Sequence, residues 1–131
     1  MENNSKISVS NCINSGLIKG TSRNISGIIG NIPNNGYKNV EVLNCVNTGV
    51  IIGGTGNNNY YGGIIGNIET GNNIITVSNC HYDKQMCIYG GINNADVAGQ
   101  AVGYLTNEMT GTQLQSKLGT TNFTYSKSSC F

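Results

Sequence analysis

Val9-Ser10-Asn11-Cys12-Ile13-Asn14-Ser15-Gly16 is echoed by Val42-Leu43-Asn44-Cys45-Val46-Asn47-Thr48-Gly49, and a third copy opens Val77-Ser78-Asn79-Cys80. Between the copies stand Gly27-Ile28-Ile29-Gly30-Asn31-Ile32 and Gly63-Ile64-Ile65-Gly66-Asn67-Ile68, with a degenerate version at Gly99-Gln100-Ala101-Val102-Gly103. Two motifs alternate, and self-similarity of this kind marks a repeat architecture. With Cys12 laid opposite Ile28, each motif is a short β-type segment ending near a glycine. The matched positions Cys12, Ile28, Cys45, Ile64, Cys80 and Ala101 then fall 16, 17, 19, 16 and 21 residues apart. A coil of about 18 residues holds two or three short strands with their corners, because a strand rises about 3.3 Å per residue. The expected fold is a parallel β-solenoid (β-helix) of about six short coils over residues 7 to 104.

The composition agrees with an all-β class. Of 131 residues, 19 are glycine and one is proline, tryptophan is absent, and asparagine is abundant, which suits many tight turns joined by short strands. The apolar residues are chiefly Ile and Val, which fit a pleated, half-buried surface better than a helix turn. Asn34-Asn35, Asn57-Asn58-Asn59, Asn72-Asn73 and Asn93-Asn94 lie between the apolar segments, where a residue tolerant of the left-handed conformation suits a sharp corner. A β-sandwich with Asn-rich hairpins is the alternative, since short strands at this spacing fit both.

The Asn-Cys-x-Asn-[Ser/Thr]-Gly segment followed by Gly-Ile-Ile-Gly resembles the GLUG-motif repeat of bacterial secreted and cell-surface, adhesin-like proteins. The resemblance covers residues 9 to about 103, carried by Gly27 to Gly30 and Gly63 to Gly66 with Ile where Leu is usual. It implies an extracellular or cell-surface module with a structural or adhesive role and no catalytic residues. Host or cell-surface protein, glycan and neighbouring coils of a longer chain are the partners it implies. The third copy departs from the pattern at Gln100 and Ala101, so a distorted last coil is expected.

After Gly103 the β alternation is lost. Thr110 and Gln113 have capping-box spacing, Leu114 and Leu118 share a face, and Gly119 suits a left-handed stop, so a short helix is expected around Thr112 to Leu118. This divides the chain into repeats over 1–104 and a capping segment over 105–131, with Leu105, Met109, Leu114, Leu118 and Phe123 as cover. Repeats beginning almost at Met1, and an end at Cys130-Phe131 straight after the β-forming Phe123-Thr124-Tyr125, point to a piece of a longer chain. Preceding coils and an export signal are then expected elsewhere in the parent protein.

Seven Lys and Arg against six Asp and Glu give a net charge of +1 with no basic block, so nucleic acid is not an expected partner. No run approaches the ~18 apolar residues of a membrane span, and Met1 to Ser10 lacks the apolar core of a secretory signal. Cys80-His81-Tyr82-Asp83 with Cys87 groups a thiol, an imidazole and a carboxylate, but neighbours on a strand point to opposite faces, so a shared metal ion is not expected. Cys87 or Cys80 has no oriented His81 base to make it a nucleophile. Polysaccharide cleavage needs clustered charges, whereas Arg23 is the sole arginine and Glu41, Glu69, Asp83, Asp96 and Glu108 are scattered. No enzyme, cofactor or metal is expected.

Tyr60, Tyr61, Tyr82 and Tyr89, with Tyr37, offer aromatic faces that stack on sugars or on a protein partner. Carbohydrate binding within a larger hydrolase and a self-assembling fibre subunit are the alternative functions. Asn3, Asn24 and Asn122 match the glycosylation sequon, as chance predicts in so Asn-rich a chain. Two coils apart, Cys12, Cys45 and Cys80 have α-carbons ~10 Å from one another, beyond the ~7 Å limit for a disulfide, and are expected to be reduced, inward-facing small hydrophobes. Cys87 and Cys130 lie outside that series, and their pairing is open. Of the paired isoleucines, Ile28 and Ile64 are expected inside, and Ile29 and Ile65 outside.

Overall fold

The computed structural model describes residues 5–34, 38–54 and 59–119. The first repeat carries β1 (Ser5–Ser10), β2 (Ile13–Asn14), β3 (Ile18–Lys19), β4 (Ile25–Ser26) and β5 (Ile29–Ile32). The second carries β6 (Lys38–Leu43), β7 (Val46–Asn47), β8 (Ile51–Ile52), β9 (Tyr61–Gly62) and β10 (Ile65–Ile68). The third is cut down to β11 (Ile74–Ser78), β12 (Cys80–Asp83) and β13 (Ala101–Tyr104), followed by a 3-10 turn (Thr106–Glu108) and α1 (Gln113–Leu118). The chain is all-β with one short helix.

Every strand ladder among the described residues is parallel. The sheets are small: β1-β6-β11, β13-β12-β7-β2, and the pairs β10-β5, β3-β8 and β4-β9. Their registers share one arithmetic. Ser5 pairs with Lys38, Ile13 with Val46 and Ile18 with Ile51, each 33 residues on. Ile25 pairs with Tyr61 and Ile29 with Ile65, 36 residues on, and Val46 with His81, 35 on. The stacking unit therefore contains both motifs, and like lies over like. Laying Cys12 opposite Ile28 at about 18 residues per coil is thus corrected for the first five matched positions; only Cys80 opposite Ala101 is a true pair.

The physical reason is visible in the side chains. A like-over-like register stacks amide on amide: Asn14 Nδ2 donates to Asn47 Oδ1 (2.8 Å), Asn67 to Asn31 (3.1 Å) and Asn79 to Asn44 (2.9 Å). It also sets glycine against backbone. A Cβ on Gly66 would stand 2.4 Å from the Gly30 carbonyl oxygen, and one on Gly27 2.3 Å from that of Gly63, so the two Gly-Ile-Ile-Gly copies approach where no side chain fits. Cys12 over Ile28 would break every one of these pairings.

The corners are asparagines, though not chiefly the expected ones. Asn11, Asn44 and Asn79, each with φ 55°, turn the chain immediately before the repeated cysteine. Of the asparagine runs, Asn93-Asn94 is left-handed (φ 46° and 64°), and it folds Ile92 back onto Ala95 as a tight turn. That reversal is what shortens the third repeat. Asn35, Asn57 and Asn58 lie outside the described residues, as do Asn3, Tyr37, Asn122, Phe123 and Cys130.

One core runs inside the stack, built on Val42, Cys45, Ile51, Ile64, Ile65, Cys80, Tyr82, Cys87 and Ala101 among others. Ile64 and Ile65 are both fully buried, and Ile28 and Ile29 both half-buried. The expected inward and outward split is not found. The chain bends at Gly63-Ile64, so strict alternation does not apply until Ile65. A second cluster forms on the other face of the four-stranded sheet, where Val46 meets Met109, Leu114 and Leu118, with Tyr104 alongside.

The tail therefore covers the outer face of β7 and β12. α1 spans Gln113–Leu118 and stops at Gly119 in the left-handed conformation (φ 69°), as its sequence suggests. Its N-cap Thr112 makes no side-chain cap bond among the described residues; a side-chain cap lies earlier, on the 3-10 turn, where the Glu108 carboxylate accepts from the Leu105 N–H at 2.8 Å. Leu105 itself is exposed.

Candidate functional site

The proposed aromatic platform divides. Tyr61 and Tyr82 are buried, which removes their faces from any ligand. Tyr82 fills space left by two glycines, since a Cβ on Gly63 or Gly103 would fall 2.4 or 2.5 Å from its side chain, and its hydroxyl donates to Asp96 Oδ1 at 2.6 Å. Burial first, then that bond to Asp96, hold its phenol well above the usual range. Tyr61 donates to the Gly54 carbonyl (3.1 Å) and meets Tyr89 edge-on, ring centres 4.7 Å apart. Tyr89 accepts from the Gly53 N–H at 2.8 Å. Tyr60 and Tyr89 are half-buried, so they alone of the expected four keep part of a face toward solvent.

The residues weighed as a metal or nucleophile cluster are separated by the strand. Cys80 and Tyr82 enter the inner core, while His81 leans on Tyr104 across the outer face at 5.4 Å. His81 Nε2 lies 3.0 Å from Asn79 Oδ1, and its buried Nδ1 has no hydrogen-bond partner among the described residues. Burial, and then the nearby Lys117 ammonium, lower its pKa. Asp83 is fully buried and accepts from the Thr106 hydroxyl (2.5 Å) and the Gln85 N–H (2.9 Å), while Gln85 Oε1 accepts from the Thr106 N–H (2.9 Å). This network pins the 3-10 turn to the end of β12. Among the described residues no three His, Cys, Asp or Glu side chains converge on a metal position.

Two features escaped the sequence reading. The register sets Cys12, Cys45, Cys80 and Ala101 in one column, each directly over the next. Each thiol donates to backbone carbonyls: Cys12 to Ser10 (3.3 Å), Cys45 to Leu43 (3.4 Å) and Val9 (3.6 Å), and Cys80 to Ser78 (3.4 Å) and Val42 (3.6 Å). Adjacent parallel strands lie about 4.8 Å apart, so the expected ~10 Å separation is corrected by half. All three are free thiols; Cys45 and Cys80 are buried and Cys12 is exposed. The neighbouring Cys80 thiol, with burial, holds the Cys45 thiol above the ordinary range. Like-over-like stacking was the missing signal.

The second feature is an apolar outer face beside β3 and β8. The pairing of Ile18 with Ile51 places Leu17 over Val50, both exposed, and Ile52 follows at 40% exposure. Below, the Ile51 N–H donates to the Met86 carbonyl (3.1 Å), which brings in Ile88, 83% exposed. Inward partners Ile18 and Ile51 would have marked the alternate residues as outward once the pairing was known.

Compared with known proteins, the chain matches no family model, no curated protein and no solved structure. Among the described residues no helix is long and apolar enough to cross a membrane.

Proposed function

We propose that the chain is a β-solenoid module of an extracellular bacterial surface protein, related to the GLUG-motif repeats, and that it serves as a spacer or adhesive element without catalysis. The observation that carries this reading is the single register rule: the described strands stack in parallel on a partner 33 to 36 residues away until the short third repeat. A unit that buries its apolar side only against its neighbours is a unit of reach. On this reading each coil has about 35 residues, and the bonded asparagine pairs and the Gly-Ile-Ile-Gly contacts hold coil to coil. The exposed column from Leu17 to Ile88 supplies an apolar surface for adhesion.

The test is a chain in which residues 38–73 are duplicated in tandem. The particle should lengthen by about 4.8 Å along one axis, with its cross-section unchanged in small-angle scattering. A wider particle of unchanged length would reject stacking. Binding to bacterial or host surfaces that is lost on Ile52→Lys with Ile88→Lys, and kept on Tyr60→Ala, separates adhesion through the apolar face from sugar stacking.

A further inference from the structure

We propose that the cysteine column is a thiol–disulfide exchange site, which takes a small-molecule disulfide at Cys12 and stores the oxidation as a Cys12–Cys45 bridge. Three observations carry this. Cys12 and Cys45 occupy directly stacked positions, because Ile13 pairs with Val46 in a parallel ladder. The Cys45 thiol reaches toward the strand that carries Cys12, donating to the Val9 carbonyl at 3.6 Å. Cys12 is exposed where Cys45 is fully buried, so the column has one open mouth and one protected partner.

The geometry admits the bond. Stacked positions on neighbouring strands put α-carbons about 4.8 Å apart, inside the roughly 4.4–6.8 Å that disulfides span. Their β-carbons are held at a similar distance, slightly beyond the usual upper limit of about 4.5 Å. The bridge must draw the two strands together by a few tenths of an ångström, so it is strained and reopens readily with a thiol.

The chemistry balances without a metal. The Cys12 thiolate attacks one sulfur of the small disulfide, forming a mixed disulfide on Cys12 and releasing one thiolate. The released thiolate takes the Cys45 proton, and the Cys45 sulfur attacks the Cys12 sulfur, forming the protein bridge and expelling the second thiolate. Two protein thiols are oxidised, and one small disulfide is reduced to two thiols. Cys80, stacked on Cys45 from the far side, is buried and does not meet the reagent.

The experiment incubates the whole chain with oxidised glutathione, quenches with acid and maps the products by intact and peptide mass spectrometry. The expected product has lost two hydrogens, carries no glutathione on Cys12 and yields a linked peptide pair joining Cys12 to Cys45. Cys45→Ala, which keeps a small apolar side chain in the core, should instead accumulate glutathione on Cys12. Cys80→Ala, at an equally buried position, should still form the bridge and so controls for loss of packing. Stable glutathionylation of Cys12 in the unmodified chain, a bridge that leaves Cys12 reduced, or a bridge through Cys87 or Cys130 would overturn the assignment.

Discussion

The first and second repeats share their two motifs and pair strand for strand, yet they differ sharply in burial. Cys12 is exposed and Cys45 fully buried; Ile13 is 43% exposed, and its counterpart Val46 not at all. Ile28 is half-buried where Ile64 is sealed. Both repeats turn at an asparagine with φ 55° and pair in register, so local structure does not explain the difference. Position does. The second repeat has a neighbour on each side, β1 and β11 flanking β6, and the tail covers Val46 from outside. Stability in this molecule thus resides in contacts between repeats, and equal substitutions should have unequal costs.

The largest contrast is expected at the paired isoleucines. Ile64→Asp puts a carboxylate into the sealed core and should cost about 3–5 kcal/mol, enough to unfold a marginal domain. Ile28→Asp should cost roughly half as much, because its site is open to water. Ile65→Asp should match Ile64→Asp. Urea melts of the three variants check the order, and equal costs at Ile28 and Ile64 would break the comparison.

Glycine sharpens it at a smaller scale. Gly66→Ala meets the Gly30 carbonyl oxygen, backbone that cannot rotate away, and should cost about 2–3 kcal/mol. Gly16→Ala meets only Asn14 Oδ1 at 3.6 Å, an ordinary contact, and should change stability by about 0.5 kcal/mol or less. Thermal melts of the two alanine variants measure the difference.

The smallest effect is a pH dependence confined to the covered face. His81 is held below its ordinary pKa by burial and by Lys117 of α1, with Asn79 and the Tyr104 ring as its other neighbours. The fold therefore favours the neutral ring. That contribution is fully present above the unfolded value of about 6.5 and is lost as the pH falls through it toward the lower folded value. Lys117 also lies over the Tyr104 ring, 4.3 Å from its centre, so a charged imidazole would arrive beside an ammonium. The melting temperature should fall more steeply below about pH 6.5 in the parent chain than in His81→Gln. Parallel curves would remove His81 from the account.

The sequence made the all-β class, the alternation of two motifs and the helix ending at Gly119 legible, since each rests on local chemistry. It did not make the register legible. Cys12 and Ile28 both sit in short apolar segments near glycine, so burial pattern alone permits either to lie beneath the other. What decides between them is identity across the stack: asparagine amides bond to asparagine amides, and Gly27 and Gly66 fit only against a matching glycine backbone. The burial of Tyr82 was hidden for a related reason. Tyr82 looks like a surface aromatic until Gly63 and Gly103 are seen to vacate the space it fills. Cys12, Cys45 and Cys80 read as separate thiols until the longer repeat sets them in one column.

A nuclear Overhauser spectrum of the isotopically labelled chain distinguishes the two registers. Stacking of like motifs predicts backbone cross-peaks joining Val46 both to Ile13 and to His81, with another set joining Ile29 to Ile65. Cross-peaks that place the Cys12 strand beside the Ile28 strand, with none between residues 13 and 46, would contradict it.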